Sequence, residues 1–229
     1  MVTLTNVRFG YGKRRLYENL NLNLHAGHLY GLLGQNGAGK SSLLKMMAGL
    51  VFPESGQCRV LDQEPRHRQP SLLRQVYFLP EESYVPPGSA TRFMQTYAPF
   101  YPNFDVKLYQ NYLHTFNVEA DQAMEKMSQG QRKKALISFA LAANTPVLLM
   151  DEPTNGLDIP SKRIFRQLVA GALDAQRVVV ISTHQVRDLD RLIDYVLVLH
   201  DGQIRHAQDF VEANEQLDLE LLFDQVVNH

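Results

Sequence analysis

Gly34-Gln35-Asn36-Gly37-Ala38-Gly39-Lys40-Ser41 constrains this chain more than any other stretch, because it fits the pattern G-x-x-x-x-G-K-[ST]. A loop of this kind turns its backbone N–H groups inward to wrap a phosphate chain. Glycine at 34, 37 and 39 avoids a Cβ that would block that approach or strain the backbone. Lys40 can reach the β- and γ-phosphates of a nucleotide, and the Ser41 hydroxyl can ligate Mg²⁺. Asn36, Ala38 and Ser42 complete the candidate phosphate-facing set. The pattern has a required context, a buried strand before it and a helix after it. Leu29–Leu33 reads as that strand and Ser42–Ala48 as that helix, whose N-terminus would aim its dipole at the phosphates.

The rest of the sequence continues the alternation. Val147-Leu148-Leu149-Met150 and Val178-Val179-Val180-Ile181-Ser182 are apolar, β-rich runs, and Ile164–Leu173 reads as a helix between them. Strands alternating with helices imply right-handed crossovers and a parallel sheet. Val76–Leu79 is a further short strand ending at Pro80, and Tyr195–Leu199 pairs with Gln203-Ile204 as a hairpin across Asp201-Gly202. Residues 2–9 and 20–24 alternate apolar and polar side chains, as half-buried antiparallel strands do, with Gly10-Tyr11-Gly12-Lys13 as the turn between them. Gly56–Leu61 reads as another strand. From about Ser83 to Ala143, prolines punctuate segments of helical periodicity such as Leu108, Tyr112, Leu113 and Phe116, the pattern of a mostly helical insertion.

Composition narrows the class. At 229 residues the chain is long enough for one large domain, or one core with an inserted subdomain. A net charge of −1 argues against nucleic acid as the main partner. The short basic runs Lys13-Arg14-Arg15 and Arg132-Lys133-Lys134 read as solvated faces. Cys58 is the single cysteine, so an intrachain disulfide is excluded, which suits a reducing compartment. Asn6 and Arg8 interrupt any secretory signal. No apolar window is long enough to span a bilayer, so action at a membrane requires other chains to do the spanning.

The run Val147–Met150 ends in Asp151-Glu152. A buried strand that ends in acids delivers them to the C-terminal edge of the sheet, where open α/β sheets bind ligands. Asp151 is the candidate second metal ligand beside Ser41, and Glu152 the candidate general base for a water attacking the γ-phosphate. Thr183-His184 ends another buried strand, placing an imidazole where it can sense that phosphate. Ser128 and Gln131, ahead of Ala135-Leu136, form a capping-box pattern at a helix start.

With these residues collected, the chain resembles the ATP-binding-cassette (ABC) ATPases over nearly its whole length. Gly34–Ser41 looks like Walker A, and Val147–Asp151 like Walker B followed by the catalytic glutamate, Glu152. Met127-Ser128-Gln129-Gly130-Gln131 resembles the signature Leu-Ser-Gly-Gly-Gln, departing from it at Met127 and Gln129. Asn155-Gly156-Leu157-Asp158 is similar to the D-loop, His184 matches the switch histidine, and Tyr11 stands where the family stacks an aromatic on adenine. Glu81, in Leu79-Pro80-Glu81-Glu82, stands where the family usually has a metal- and water-binding glutamine. A carboxylate there can ligate Mg²⁺ but cannot donate an N–H. Glu81 and the stretch Tyr97–Asp105 place the chain nearest the bacterial exporter-type ATPases.

The resemblance implies an α/β fold in a single domain. A P-loop NTPase core with a mostly parallel sheet and an antiparallel β subdomain would span about 1–82 and 144–206, a helical subdomain about 83–143, and a helical tail about 207–229. It implies ATP and Mg²⁺ as ligands and a head-to-tail homodimer, or heterodimer with a similar ATPase, in which Ser128, Gly130 and Gln131 of one copy close over the nucleotide of the other. It further implies a separate integral-membrane permease and a location on the cytoplasmic face of the inner membrane. A non-transport ABC ATPase acting on DNA, ribosomes or an assembly is the alternative. The short interval from Lys40 to Ser128, without sustained heptads, and the single cassette weigh against it.

Overall fold

The computed structural model describes residues 1–185 and 192–209. The chain runs β1 (Val2–Tyr11), β2 (Arg14–Leu24), β3 (His28–Leu33), α1 (Lys40–Met47), β4 (Ser55–Val60), α2 (Pro70–Leu73), β5 (Val76–Leu79), α3 (Ala90–Tyr97), α4 (Val106–Thr115), α5 (Gln129–Ala142), β6 (Val147–Asp151), α6 (Ile159–Ala172), β7 (Val178–Thr183), β8 (Tyr195–His200) and β9 (Gln203–Asp209). Among the described residues the strands form a three-stranded sheet, β2-β1-β4, and a six-stranded sheet, β5-β6-β7-β3-β8-β9. The small sheet is antiparallel. In the large one β5, β6, β7, β3 and β8 are parallel, and β9 alone runs antiparallel.

Both faces of the large sheet are covered, which is why its strands read as continuous apolar runs. Val147 and Leu149 of β6 face α1 and the small sheet, whereas Leu148 and Met150 face the core formed with α4, α5 and α6. The same period of two divides Val178 and Val180 of β7 from Val179 and Ile181. Parallel pairing then aligns the C-terminal ends of the strands. Leu33 pairs with Thr183, Asp151 with Ser182, and Leu79 with Met150, so the loops after β3, β5, β6 and β7 meet at one edge.

Four expectations are corrected in detail. The first hairpin turns at Gly12-Lys13 alone, because the strands continue through Tyr11 and Arg14. Helix α6 starts at Ile159 rather than Ile164, since the Asp158 side chain accepts from the Ser161 N–H and Pro160 suits a first turn. Residues 207–209 belong to β9 instead of a helix, while the remainder of the expected tail, 210–229, lies outside the described residues. Alternation is also interrupted. Asn6 (φ 51°) and Asn19 (φ 77°) sit at register shifts in β1 and β2. The second shift moves burial in β2 from Leu20, Leu22 and Leu24 to Tyr17, turning that ring inward.

Candidate active site

The phosphate loop, 34–41, is shaped from beneath. Gly34 does not have a positive φ, but a Cβ there would lie 2.7 Å from the Leu199 backbone oxygen of β8. Gly39 is left-handed (φ 111°), and a Cβ on it would meet the Tyr17 hydroxyl at 2.8 Å. The glycines are therefore required by packing against the protein as well as by the space a phosphate would need. Tyr17, fully buried, donates from its hydroxyl to the Gly39 backbone oxygen. Burial raises its phenol well above the usual range and keeps it a donor. Arg14 Nη2 donates to the Gly37 oxygen at 2.8 Å. Neither support is legible in the sequence pattern: Arg14 belongs to a short basic run that reads as a solvated face, and the alternation along β2 does not announce the inward turn at Tyr17.

Helix α1 begins inside the loop with Gly39 at its N-cap, and no side chain caps it. Its first N–H groups are thus without a capping partner at the place a phosphate would occupy. Lys40 is buried (6% exposed), with Nζ 2.7 Å from the Gly34 oxygen and 3.9 Å from Glu152 Oε1. Burial lowers its pKa, while Glu152, Asp151 and Glu81 oppose that shift. Ser41 is half-buried and Ser42 buried on the first turn of α1.

Asp151 and Glu152 emerge at the end of β6 as expected, both buried. Ser182 Oγ on β7 donates to Asp151 Oδ1, fixing the carboxylate. Glu152 holds a left-handed backbone (φ 44°) that a non-glycine residue adopts at a cost of about 1–3 kcal/mol. Its N–H donates to the Ser182 backbone oxygen at 3.1 Å. The turn throws the carboxylate back over the sheet edge, where Oε1 lies 2.8 Å from His184 Nδ1. The other oxygen, Oε2, is buried without a hydrogen-bond partner. An orphaned acceptor of this kind is expensive unless a donor such as water completes it.

The remaining candidates surround this centre. The Tyr11 ring is half exposed and roughly perpendicular to the Phe9 ring at 5.0 Å, and its hydroxyl is 3.5 Å from Ser42 Oγ. Glu81 is exposed, and its Oε1 accepts from Asn155 Nδ2 at 2.7 Å. Ser128 and Gln131 form the complete capping box of α5, Ser128 Oγ accepting from the Gln131 N–H and Gln131 Oε1 from the Ser128 N–H. Ser128 and Gln129 are exposed, Gly130 and Gln131 half-buried, and Met127 is buried, which accounts for an apolar residue there. Gly130 lies beside the loop after β6, since a Cβ on it would be 3.1 Å from the Gly156 oxygen. A polar cleft of ≈ 730 Å³ follows the outer rim of the phosphate loop, lined by Arg14, Asn36, Gly37 and His200 among others. Tyr11, Lys40 and Glu152 do not line it, so it adjoins the site without containing it.

The residues fit a Mg²⁺-nucleotide. Ser41 and Asp151 offer the few hard oxygen ligands that Mg²⁺ accepts when phosphate and water supply the rest. The loop amides and the first turn of α1 offer donors, and Glu152 Oε2 offers an unfilled acceptor. Among the described residues no helix is long and apolar enough to cross a membrane.

Comparison with known proteins bears on the family and the fold. The family model described as ABC transporter matches residues 17–155. The chain is 29% identical over 238 residues to the ABC transporter ATP-binding protein NatA of Bacillus subtilis (strain 168), covering 97% of this chain and 96% of that one. The solved ATP-binding subunit of an ABC transporter superposes with a TM-score of 0.87 at 20% identity, over 99% of both chains. A dimeric, post-hydrolysis form of the ATP-binding cassette MJ0796, bound to ADP and Pi, does so with a TM-score of 0.79 at 24% identity, over 91% of this chain and 98% of that one.

Proposed function

The chain belongs to the ABC transporter family, and from that premise we propose that it is the subunit that binds and hydrolyses ATP to drive transport through separate membrane-spanning subunits. The observation that carries the hydrolytic step is the buried Glu152 carboxylate, whose Oε1 lies on His184 and near Lys40 while Oε2 is left without a partner.

In this reading the loop amides, Lys40 and the start of α1 hold the phosphates, and Tyr11 stacks on the base. Ser41, Asp151 and Glu81 are the groups that would hold Mg²⁺, which when bound neutralises charge on the phosphate oxygens. Glu152 Oε2 accepts the proton of the attacking water, and His184 fixes the carboxylate through Oε1. Lys40 stabilises the charge that develops as the phosphoryl group transfers, which is the larger share of such catalysis.

The half-site is completed by a second copy. Ser128 and Gly130 stand exposed or half-exposed at the capped start of α5, a helix N-terminus suited to an anion. Head-to-tail pairing would set that terminus over the partner's nucleotide. That MJ0796, similar in fold, is dimeric with ADP and Pi bound supports the pairing of two copies. The helices between residues 83 and 143 would form the subdomain that docks on the permease at the cytoplasmic face of the membrane.

Two experiments test the proposal. Phosphate release from ATP and Mg²⁺ by the purified chain should fall by roughly two to four orders of magnitude on Glu152→Gln, the usual worth of a positioned base. Turnover that survives would remove Glu152 from the reaction. For transport, the chain should copurify with the product of a neighbouring gene that encodes spans of about 20 apolar residues, and fail to couple turnover to cargo movement without it.

A further inference from the structure

Arg14 and Tyr11 are cross-strand partners, one on each side of the Gly12-Lys13 turn. Residues paired directly across an antiparallel ladder share one face of the sheet. From that face the Tyr11 hydroxyl stands 3.5 Å from Ser42 Oγ, and Arg14 Nη2 donates to the Gly37 oxygen at 2.8 Å. The tip of one hairpin thus reaches the first turn of α1 and the middle of the phosphate loop. The next cation in the run, Arg15, is taken up by Glu54.

The Gly37 contact falls where the loop has least to hold it. Three of the six residues 34–39 are glycine, whose conformational freedom makes a single shape costly to fix. Gly37 is left-handed (φ 80°) and third in the turn 35–38, which closes where the Ala38 N–H donates to the Gln35 oxygen at 3.1 Å. The Gly37 oxygen and the Ala38 N–H belong to one planar trans peptide, so they point in opposite directions. Whatever holds that oxygen also aims that N–H. Lys40 takes the Gly34 oxygen and Tyr17 the Gly39 oxygen, at the two ends of the stretch. Arg14 takes the middle, from the polar cleft along the loop's outer rim. Its guanidinium is planar and always charged, so the donor is always present.

We propose that Arg14 is a positioning residue for nucleotide binding: its bond to the Gly37 oxygen keeps the phosphate loop in its binding shape before a nucleotide arrives. This rests on the reading of residues 34–41 as the phosphate site. A loop held in shape beforehand loses less freedom when it binds, and the difference appears as affinity. The same hairpin tip carries Tyr11, so the strand pair that presents a ring to the base also fixes the loop for the phosphates.

The test compares Arg14→Ala and Arg14→Lys with the parent on the full chain, with Lys40→Ala as control. Arg14→Ala should weaken ATP binding about five- to tenfold, the worth of one charge-assisted hydrogen bond at an exposed site. Inorganic tripolyphosphate, assayed as a competitor of ATP, should weaken by the same factor, since the effect runs through the loop and not through the base. The ATP KM should rise with kcat within about twofold, the pattern of lost uniform binding. Arg14→Lys, which keeps a charged donor, should recover most of the affinity. Hydrogen exchange of residues 35–39 in the nucleotide-free chain should quicken in Arg14→Ala, while the urea midpoint stays put because the side chain is exposed. Unchanged affinity, or a loss for ATP that spares tripolyphosphate, would overturn the proposal. So would unchanged exchange in the empty chain, which would make Arg14 a direct attractor of the nucleotide, or an affinity loss that only follows a fall in the urea midpoint. ATP affinity surviving in Lys40→Ala would instead strike the underlying reading of the loop.

Discussion

His184 Nδ1 lies 2.8 Å from Glu152 Oε1, so one oxygen of the buried carboxylate is held by the imidazole while the other is buried and unpartnered. The strand that delivers each residue is central and fully buried, and the left-handed turn at Glu152 is what brings the two side chains together. Removing the imidazole by His184→Ala should therefore misplace the carboxylate without disturbing the phosphate loop. Phosphate release should fall by up to about a hundredfold, the cost of small misplacements at a reacting centre. ATP affinity by fluorescence titration should change by less than about threefold. A loss confined to affinity would contradict the positioning role.

Tyr17 supports the phosphate loop from below. Tyr17→Phe removes one hydrogen bond to the Gly39 oxygen and should cost about 1 kcal/mol in urea denaturation, with weaker ATP binding. Gly39→Ala should be worse, by more than about 1 kcal/mol, since φ 111° is strained for alanine and its Cβ would run into the Tyr17 ring. Equal stability of both variants and the parent would show that Tyr17 does not shape the loop.

The helix cap at Ser128 has a stability role separable from any role at an interface. Ser128→Ala breaks the capping box and should lower stability by about 1 kcal/mol, read from the urea midpoint. A stability loss without any effect on ATP-dependent pairing would assign the residue to the cap alone.

Cys58 is buried in β4, and burial pushes its thiol up to about 12. Because the folded value lies above the unfolded one, the stability from keeping the thiol neutral is complete below about pH 8.5. That contribution is lost as pH rises towards the folded value. Native protein at pH 8 should resist iodoacetamide until unfolded in urea, and Cys58→Ala should flatten the loss of stability above pH 9. Rapid alkylation of the native protein would contradict the burial.

Much of the site was legible because its chemistry follows strand ends. Gly34–Ser41, Asp151, Glu152 and His184 each end a run whose apolar residues announce a buried parallel strand. The supporting residues were not legible, for reasons that are physical. Tyr17 is inward only because Asn19 bulges β2, whereas the alternation of Leu20, Leu22 and Leu24 extended backwards would turn it to solvent. Lys133 is buried because α5 is covered nearly all round, and a helix of that kind has no solvated stripe for the pattern to reveal. Ser182 faces Asp151 through strand pairing, which depends on the order β6-β7-β3 and not on the sequence around it. The start of α6 rests on the Asp158 cap and on Pro160 in its first turn, ahead of the run from Ile164 that reads as a helix in the sequence.

The central claim is that each ATP is enclosed by two copies, with Glu152 hydrolysing what Ser128 of the other copy helps to bury. Size-exclusion chromatography of Glu152→Gln with ATP and Mg²⁺ tests it most directly. The account predicts a dimer that forms with ATP, is absent with ADP, and is abolished when Ser128→Arg is added. A monomer with ATP, or a dimer indifferent to Ser128→Arg, would contradict it.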